Sequence, residues 1–363
     1  MEPKVKDFSE NNEVLKFTLY DCNYSMANSI RRTILSDIQT VVISTNDDSI
    51  ITNTSRLNNE IIKQRLGCIP VHITDKDMPI KNYIIEINLH NDTEELLYVT
   101  TEDIKIKDNE TKKYLSKEIV QQMFPKNLMT GYYIDILRLR PKLFEGHTGE
   151  SIHFNCSLKY STAKEDGMYN VVSSCAYGNT IDNALAKDAL ENELEKKKGE
   201  TEEQINIFKH DWNALNIQRF NIKNSFDFII ETVGVFKNMD LVKKSIQIII
   251  TKLQNVITLF QQKGNDIINE LYSTIDNYHE IELEDIGYTI GKLLEYKLYE
   301  DYFEKEKVFN FCGFIKKHPH SNKSYIKFGF NDNNKNIEDI TMIIINSATE
   351  LIKEMNKIAT YFE

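Results

Sequence analysis

Two long helical segments carry more apolar surface than one face of a sheet can cover. The first spans residues 240–262 and presents one broad apolar stripe, made of Val242, Ile246, Ile249, Ile250, Leu253, Val256, Ile257 and Phe260 and widened by Leu241, Ile248 and Leu259. At 100° per residue this arc covers about 200°, roughly twice what a surface helix needs. Burying each of these side chains is worth roughly 1.5–3 kcal/mol. The helix must therefore be covered on two sides, by its own sheet and by another helical surface.

The last segment, residues 337–362, repeats this pattern. Its apolar residues recur at steps of three and four, as Ile340, Ile344, Ala348, Leu351, Met355 and Ile358. Each long helix is preceded by a shorter helix (25–37 or 289–298) and by strand candidates (14–20 and 226–235, or 308–315 and 325–330). The pattern predicts an α+β fold in which the two halves bury their extra stripes against each other as a pseudo-two-fold dimer within one chain. Two unrelated α+β domains, each burying its own helix, remain the alternative.

The rest of the sequence predicts how the domains are arranged. Within residues 46–173, apolar and polar residues alternate at period two in segments that are separated by turn residues. This pattern predicts a β-rich domain inserted into the first module. We therefore expect a larger module at 1–45 and 174–262, a linker at 263–266 and a smaller module at 267–363. A charged helical stretch at 182–198 is interpreted as a solvated face, and no role is assigned to residues 182–224.

Composition excludes several classes of protein. Lys+Arg 44 against Asp+Glu 55 gives a net charge of −11, which argues against a surface that grips a nucleic-acid backbone, although a local basic patch stays open. No apolar run approaches the ~18 residues of a membrane span, so we expect no membrane partner. The five cysteines form no Cys-x-x-Cys pair, which predicts an intracellular, reducing location without disulfides.

A search for catalytic and ligand motifs is negative. Gly291-Lys292 lacks the earlier glycine of a phosphate loop, and neither Gly-x-Ser-x-Gly nor His-Glu-x-x-His occurs. His318-Pro319-His320 is interpreted as a turn rather than a metal pair. The sequence predicts no catalytic residues, no cofactor and no metal. An enzyme of unrecognised class with its site in the inserted β-rich domain is the alternative, and a free-standing nucleic-acid-binding protein is a third.

Several ordered motifs resemble the α-like subunits of multisubunit DNA-dependent RNA polymerases. The helix at 25–37, with Asn23 or Ser25 as N-cap, contains Asn28-Ser29-Ile30-Arg31-Arg32-Thr33-Ile34-Leu35-Ser36, which is similar to the first-helix motif of the larger α-like subunits. The resemblance continues at Asn53-Thr54-Ser55 and in the run from Asn59 to Pro70, which contains Glu60, Arg65 and Gly67. It also includes the strand that begins at residue 226 and the long helix that follows it. These larger proteins are bacterial alpha, the larger of the two archaeal α-like subunits and the third eukaryotic subunit.

The C-terminal hundred residues resemble the smaller α-like partner, which is the smaller archaeal α-like subunit or the eleventh eukaryotic subunit. Tyr288-Thr289-Ile290-Gly291-Lys292 stands where that family has His-Thr-Leu-Gly-Asn, and Phe311-Cys312-Gly313-Phe314 with His318-Pro319 matches its cysteine-glycine turn. The departures at Tyr288 and Lys292 put the contacts of those two side chains in doubt. Fusion of both subunits resembles the arrangement in large nucleocytoplasmic DNA viruses, which implies viral transcription in the host cytoplasm and virion.

The resemblance implies a non-catalytic scaffold on which the two large polymerase subunits assemble. It implies the second-largest, largest and small subunits as partners, and DNA only indirectly through the complex. Asn28, Ser29, Arg31 and Arg32 are expected to contact the second-largest subunit. Glu60, Arg65, Gly67 and Pro70 are expected to shape an adjoining assembly surface. In the smaller module, Gly291 is expected to permit close helix approach, and Gly313 with Pro319 to set a turn.

Overall fold

The computed structural model describes residues 2–11, 13–75, 78–142, 144, 146, 148–264, 266–270, 278–331 and 337–362. Within them the strands are β1 (Lys4–Asn11), β2 (Val14–Tyr20), β3 (Thr40–Ser44), β4 (Ile50–Asn53), β5 (Tyr83–His90), β6 (Leu97–Thr100), β7 (Lys105–Asp108), β8 (Asp135–Leu139), β9 (Ser151–Ser161), β10 (Val172–Ile181), β11 (Asn221–Thr232), β12 (Ile268–Glu270), β13 (Tyr278–Glu284), β14 (Phe309–Ile315) and β15 (Lys323–Phe330). The α-helices are α1 (Tyr24–Ser36), α2 (Asn59–Gly67), α3 (Lys117–Met123), α4 (Asn183–Lys196), α5 (Glu202–Ala214), α6 (Asn238–Lys263), α7 (Tyr288–Leu298) and α8 (Ile337–Ala359).

Backbone proximity divides the chain into two compact units. Unit 1 holds residues 1–34, 174–231 and 238–363, and unit 2 holds residues 35–173 and 232–237. The first boundary differs from the expected one near residue 45. The reason is β3, which pairs antiparallel with β9 and so belongs to the sheet of unit 2.

Unit 1 contains two sheets with one topology. The first has the strand order β1-β2-β11-β10 and the second the order β12-β13-β15-β14. In each, the chain makes an outer strand, an inner strand, a helix, an outer strand, an inner strand and then a long helix; in the first sheet, unit 2 follows α1, and α4 and α5 lie between β10 and β11. The helix between the second and third strands is α1 in one case and α7 in the other, and the closing helices are α6 and α8. The same chain path is therefore used twice.

The closing helices α6 and α8 pack against each other. All twelve residues predicted for their contact stripes are buried, namely Val242, Ile246, Ile249, Leu253, Val256, Phe260, Ile340, Ile344, Ala348, Leu351, Met355 and Ile358. When the sequences of α6 and α8 are aligned so that Val242 corresponds to Ile340, Leu253 corresponds to Leu351. Beyond α8, the Phe362 ring meets Phe17 of β2 edge-on at 5.1 Å between centroids. The broad apolar arcs are thus covered on both sides, by sheet and by helix.

Unit 2 is built on a five-stranded sheet. Its order is β3-β9-β5-β7, with β4 also paired to β9, and β6 and β8 form a separate two-stranded ribbon. Alternate residues of these strands, among them Ile85, Ile87 and Phe154, join α2 and α3 in one apolar core. The period-two pattern of this region is explained by one buried and one exposed face per strand.

Several elements differ from the sequence-based expectation. The strand predicted at 226–235 is β11, which ends at Thr232 because the chain then turns through Gly234 at φ +98°. The region expected to be entirely strand-like contains α2 and α3. The short helix expected to end at residue 298 continues as a π-helical turn, Tyr299–Lys305. The strands β1, β10, β12 and β13 and the helix α5 were not predicted.

Candidate functional site

Helix α1 is fixed at its start by a side-chain cap. The Asn23 side chain accepts a hydrogen bond from the Met26 backbone N–H at 2.8 Å, which selects Asn23 over Ser25 as the cap. Met26, Ala27, Ile30 and Ile34 are buried. The opposite face of the helix is left to carry the polar motif.

The structure separates the four motif residues of α1 into two groups. Arg31 donates from Nε and Nη2 to the Asn28 side-chain oxygen, at 3.1 and 2.9 Å. Ser29 is buried and donates to the Met26 carbonyl at 2.7 Å. Burial raises the pKa of Cys175 on β10 to about 12, and the nearby Arg31 charge acts in the opposite direction. Arg31 and Ser29 are thus engaged by partners on α1 itself, and Asn28, Ser29 and the exposed Arg32 border a groove.

Helix α7 faces the same groove. The Lys292 ammonium pairs with Glu295 one turn later. Burial, followed by the charge of Glu300, raises the pKa of the Tyr296 hydroxyl to about 12. The Tyr288 ring lies edge-on against Phe314 at 5.5 Å between centroids. Both departures from the family pattern, Tyr288 and Lys292, are therefore placed at this surface.

The groove between α1 and α7 is a large concave surface of unit 1. It encloses about 790 Å³, and its walls come from α1, α7, the π-helical turn and β14. The rings of Tyr24 and Tyr296 meet edge-on across it at 5.9 Å. Tyr24 is 62% exposed and Tyr288 49%. Exposed tyrosines beside an arginine are the composition typical of protein-binding surfaces.

The two glycines predicted in the C-terminal module have different roles. A Cβ on Gly291 would come within 2.2 Å of the Phe314 ring, so this glycine permits the close approach of helix α7 to β14. Gly313 lies inside β14, paired with Lys327, and sets no turn. Pro319 lies in the turn that follows, where the His320 N–H donates to His318 Nδ1 at 3.2 Å.

The predicted residues of unit 2 lie in α2 or just after it. Arg65 donates to the Asp135 carbonyl at 2.8 Å, which ties α2 to β8. Gly67 is buried, and a Cβ there would come within 2.5 Å of the Met168 sulfur, so its role is packing within the unit. Glu60 is exposed in the first turn of α2, and Pro70 is half-buried just beyond the helix.

A second cavity lies within unit 2 and bears on the enzyme alternative. It encloses about 580 Å³ and is bordered by several titratable residues, including Asp103 and Tyr114. Asp103 accepts the Thr100 backbone N–H at 2.9 Å as part of a capping box. The Tyr114 hydroxyl donates to Glu86 at 2.6 Å, and this bond raises its pKa. These two groups are engaged in local hydrogen bonds.

Metal-ligating and redox-active side chains are scattered over the described part of the chain. There, no group of three or more His, Cys, Asp or Glu residues is placed to hold a metal ion. Burial raises the pKa of the Cys156 and Cys312 thiols to about 12, which keeps both protonated at neutral pH. Across the same residues, no helix combines the length and the hydropathy needed to cross a bilayer.

Sequence comparisons identify relatives. The model of the RNA polymerase Rpb3/Rpb11 dimerisation domain matches residues 16–253, about two thirds of the chain. A "Conjugation stage-specific protein" of Tetrahymena thermophila is 23% identical over 69% of this chain and 93% of its own length. The "DNA-directed RNA polymerases I and III subunit rpac1" of Dictyostelium discoideum is 24% identical over 73% of this chain and 83% of its own.

A third relative matches more strongly over a shorter stretch. The "DNA-directed RNA polymerases II, IV and V subunit 3" of Arabidopsis thaliana is 41% identical over 69 residues, 19% of this chain and 21% of its own. The domain match covers β2, α1, the whole of unit 2 and most of α6, which are the elements described above. The chain therefore belongs to the RNA polymerase Rpb3/Rpb11 dimerisation domain family.

Proposed function

We propose that this chain is a non-catalytic assembly subunit of a DNA-dependent RNA polymerase. In this proposal two α-like modules joined in one polypeptide form an intramolecular dimer, and the dimer nucleates assembly of the two large catalytic subunits. Family membership supports the polymerase assignment. The names of two relatives, both polymerase subunits, support it further.

The observation that carries the dimer is the repeated topology of unit 1. Two sheets of the same strand order each end in a long helix, and those helices, α6 and α8, pack against each other. The family match ends at residue 253, inside α6. The second set of strands and helices therefore lies beyond the matched segment, as expected if a smaller α-like module follows a larger one.

Joining the modules has a physical consequence. A short tether raises the effective concentration of one module near the other to about the mM range, so pairing no longer depends on dilution. We place the tether at residues 263–266, and of these residue 265 lies outside the described residues. A fused pair of this kind resembles the arrangement in large nucleocytoplasmic DNA viruses. A viral source for this chain stays a prediction.

Unit 2 is proposed to be a domain inserted into the larger module. It enters the chain between α1 and β10, whereas α7 is followed by only the π-helical turn and a short connection before β14. We propose this domain as the docking surface for small polymerase subunits. Its loop at 127–132 supports the idea because Leu128 and Met129 are about nine-tenths exposed.

Hydrogen bonds within the exposed loop also define its backbone conformation. The Asn127 side-chain oxygen accepts the N–H groups of Met129 and Thr130 at 3.0 and 2.9 Å, and its backbone N–H donates to the Tyr132 carbonyl at 2.9 Å. A loop fixed before binding loses little entropy when a partner covers it. Large apolar side chains on such a loop are favourable anchors for a partner.

Co-expression tests the proposed function. The chain is produced with the largest and second-largest polymerase subunits of the same genome, and the complex is isolated through a tag on the chain. We expect a stoichiometric complex, and we expect Arg32→Ala to reduce its yield while Lys187→Ala on α4 leaves it unchanged. Large subunits that assemble equally well without this chain would contradict the proposal.

A further inference from the structure

A small polar cluster lies on the outer face of the five-stranded sheet of unit 2. Glu86 of β5 is directly opposite Asn155 of β9, and Asn88 is directly opposite His153. Directly paired residues point to the same side of a sheet, and so do residues two apart along one strand. Glu86, Asn155 and His153 therefore share one face, and it is the face opposite to the one on which Phe154 joins the apolar core.

Two atoms of this cluster are buried without a hydrogen bond. His153 Nε2 and the Asn155 side-chain oxygen are closed to solvent, and neither has a hydrogen-bond partner among the described residues. Buried polar atoms in proteins are nearly always satisfied by a protein group, an ordered water or a bound ion. An exposed atom could bond to bulk water, but these two cannot. A small cation that both atoms and a carboxylate bind would satisfy the cluster.

The third atom of the cluster is a carboxylate oxygen at the spacing that a metal ion requires. Glu86 Oε1 lies 3.6 Å from His153 Nε2, which is too far for a hydrogen bond. Zinc binds imidazole nitrogen and carboxylate oxygen at about 2.0–2.2 Å, so two such ligands at a tetrahedral angle are about 3.4 Å apart. The pair of His90 and Asp92 differs, because its nitrogen and oxygen are 2.8 Å apart and bond directly to each other.

The carboxylate of Glu86 is held in place by its other oxygen. The Tyr114 hydroxyl donates to Glu86 Oε2 at 2.6 Å, and Oε1 is the oxygen near His153. A hydrogen bond that orients a ligand in this way is typical of metal sites in proteins. Lys105 of β7 is opposite Glu86, but it is exposed and forms no ion pair within the described part of the chain. Glu86 Oε1 is therefore available to a cation.

We propose that His153, Glu86 and Asn155 form a binding site for one zinc ion on the outer face of unit 2. His153 Nε2 and Glu86 Oε1 are the two strong ligands, the Asn155 oxygen is a weaker third ligand, and solvent supplies the fourth. Because the third ligand is an amide, the site is not a cluster of three His, Cys, Asp or Glu residues. The sequence predicted no metal because the ligands come from two separate strands and form no spacing motif. The site is independent of the polymerase assignment.

Calorimetric titration of the tag-free full chain with zinc chloride tests the site. We expect one zinc ion to bind per chain. His153→Ala and Glu86→Gln each remove a strong ligand and should weaken binding by about 100-fold or more, and Tyr114→Phe should weaken it by about 10-fold. His318→Ala/His320→Ala removes an exposed pair of histidines whose ring centroids are 5.3 Å apart, and it should leave this binding unchanged.

Asn155→Asp separates a zinc site from a cluster whose polar atoms are simply left unpaired. In EDTA the new carboxylate lies opposite Glu86 and repels it, so we expect a lower melting temperature than that of the unmodified chain. Zinc should remove this difference and bind more tightly than to the unmodified chain, because the third ligand is now charged. Asn192→Asp makes the same change on α4 and should show neither effect.

Three results would overturn the inference. They are an unmodified chain that binds no zinc, zinc binding that survives His153→Ala, and an Asn155→Asp chain whose melting temperature zinc does not raise. His153 and Glu86 are partly exposed, so their variants should fold, and circular dichroism checks this before each titration. None of these results bears on the polymerase assignment, which co-expression tests separately.

Discussion

The two halves of unit 1 use one chain path but solve local packing differently. We call β1, β2, α1, β10, β11 and α6 the first half, and β12 to β15 with α7 and α8 the second half. At some equivalent positions the first half has an apolar or small residue where the second half has a charge or a glycine. Thr33 in α1 corresponds to Lys297 in α7, and Val256 in α6 corresponds to Glu354 in α8. The topology therefore tolerates different side-chain solutions, and each difference can be tested against its counterpart.

The largest expected effect concerns the buried ion pair of the second half. Lys297 and Glu354 are each at least 94% buried, and their charged atoms are 3.0 Å apart, with Asp301 at 3.1 Å from the same ammonium. Lys297→Met removes the ammonium that pairs with both Glu354 and Asp301 in a buried site and should lower the free energy of unfolding by about 3–5 kcal/mol. Urea denaturation measures the loss.

The matched control imitates the first half. Lys297→Met/Glu354→Leu removes both charges, as at Thr33 and Val256, and should recover most of the lost stability. A double variant as unstable as Lys297→Met would show that the charges are required for this half to fold.

The same cluster predicts a pH dependence. Burial alone would raise the pKa of Asp301, but hydrogen bonds from Lys305 and Lys297 lower it overall. Burial alone would lower the pKa of Lys297, but its bond to Glu354 raises it overall. The contribution of Asp301 to the free energy of unfolding is thus present above its unfolded pKa of about 3.9 and is lost as the pH falls through its folded pKa. The contribution of Lys297 is present below its unfolded pKa of about 10.4 and is lost as the pH rises through its folded pKa.

A smaller effect is expected where the halves differ by one methyl group. The fourth residue is Ala27 in α1 and Gly291 in α7, and a Cβ on Gly291 would meet the Phe314 ring at 2.2 Å. Gly291→Ala should therefore cost about 1–3 kcal/mol in the free energy of unfolding through overpacking. Gly291→Ala/Phe314→Leu, which removes the ring, should recover part of that loss. An equally stable Gly291→Ala would show that α7 shifts freely on its sheet.

The smallest effect separates the starts of the two helices. Asn23 caps α1 through its side chain, whereas Gly287 precedes α7 at φ −87° without a side-chain cap. Asn23→Ala should cost about 1 kcal/mol, and Gly287→Asp should add several tenths of a kcal/mol. Thermal unfolding followed by circular dichroism measures both. Equal changes at the two positions would remove this difference between the halves.

Sequence pattern predicted the long elements well because their periodicity is strong. The first strand candidate coincides with β2, and the twelve residues predicted for the contact between α6 and α8 are buried, whereas Ile248, Ile257 and Leu259 of the broader α6 stripe are half-buried. The pattern missed α2 because only Ile62 and Leu66 of its nine residues are buried apolar side chains, and the surrounding sequence has a strand-like pattern. It also missed β1, an edge strand whose residues are almost all exposed.

The candidate site was harder to predict than the fold. Arg32 and Asn28 were expected at a surface, but the groove also depends on Tyr288 and Tyr296, which lie far along the chain from α1. The fold of unit 1 brings them together. The one signal in the sequence was the tyrosine that begins each helix, at Tyr24 and Tyr288. The inward engagement of Arg31 by Asn28 depends on rotamers that periodicity does not specify.

Splitting the chain tests most directly whether its two halves form an intramolecular dimer. Residues 2–264 and 266–363 are co-expressed as separate polypeptides, each with its own start codon, and only the first carries a tag. We expect the two fragments to co-purify in a 1:1 ratio, and Leu351→Asp, which places a charge between α6 and α8, to abolish co-purification. Two fragments that purify separately as folded monomers would contradict the intramolecular dimer.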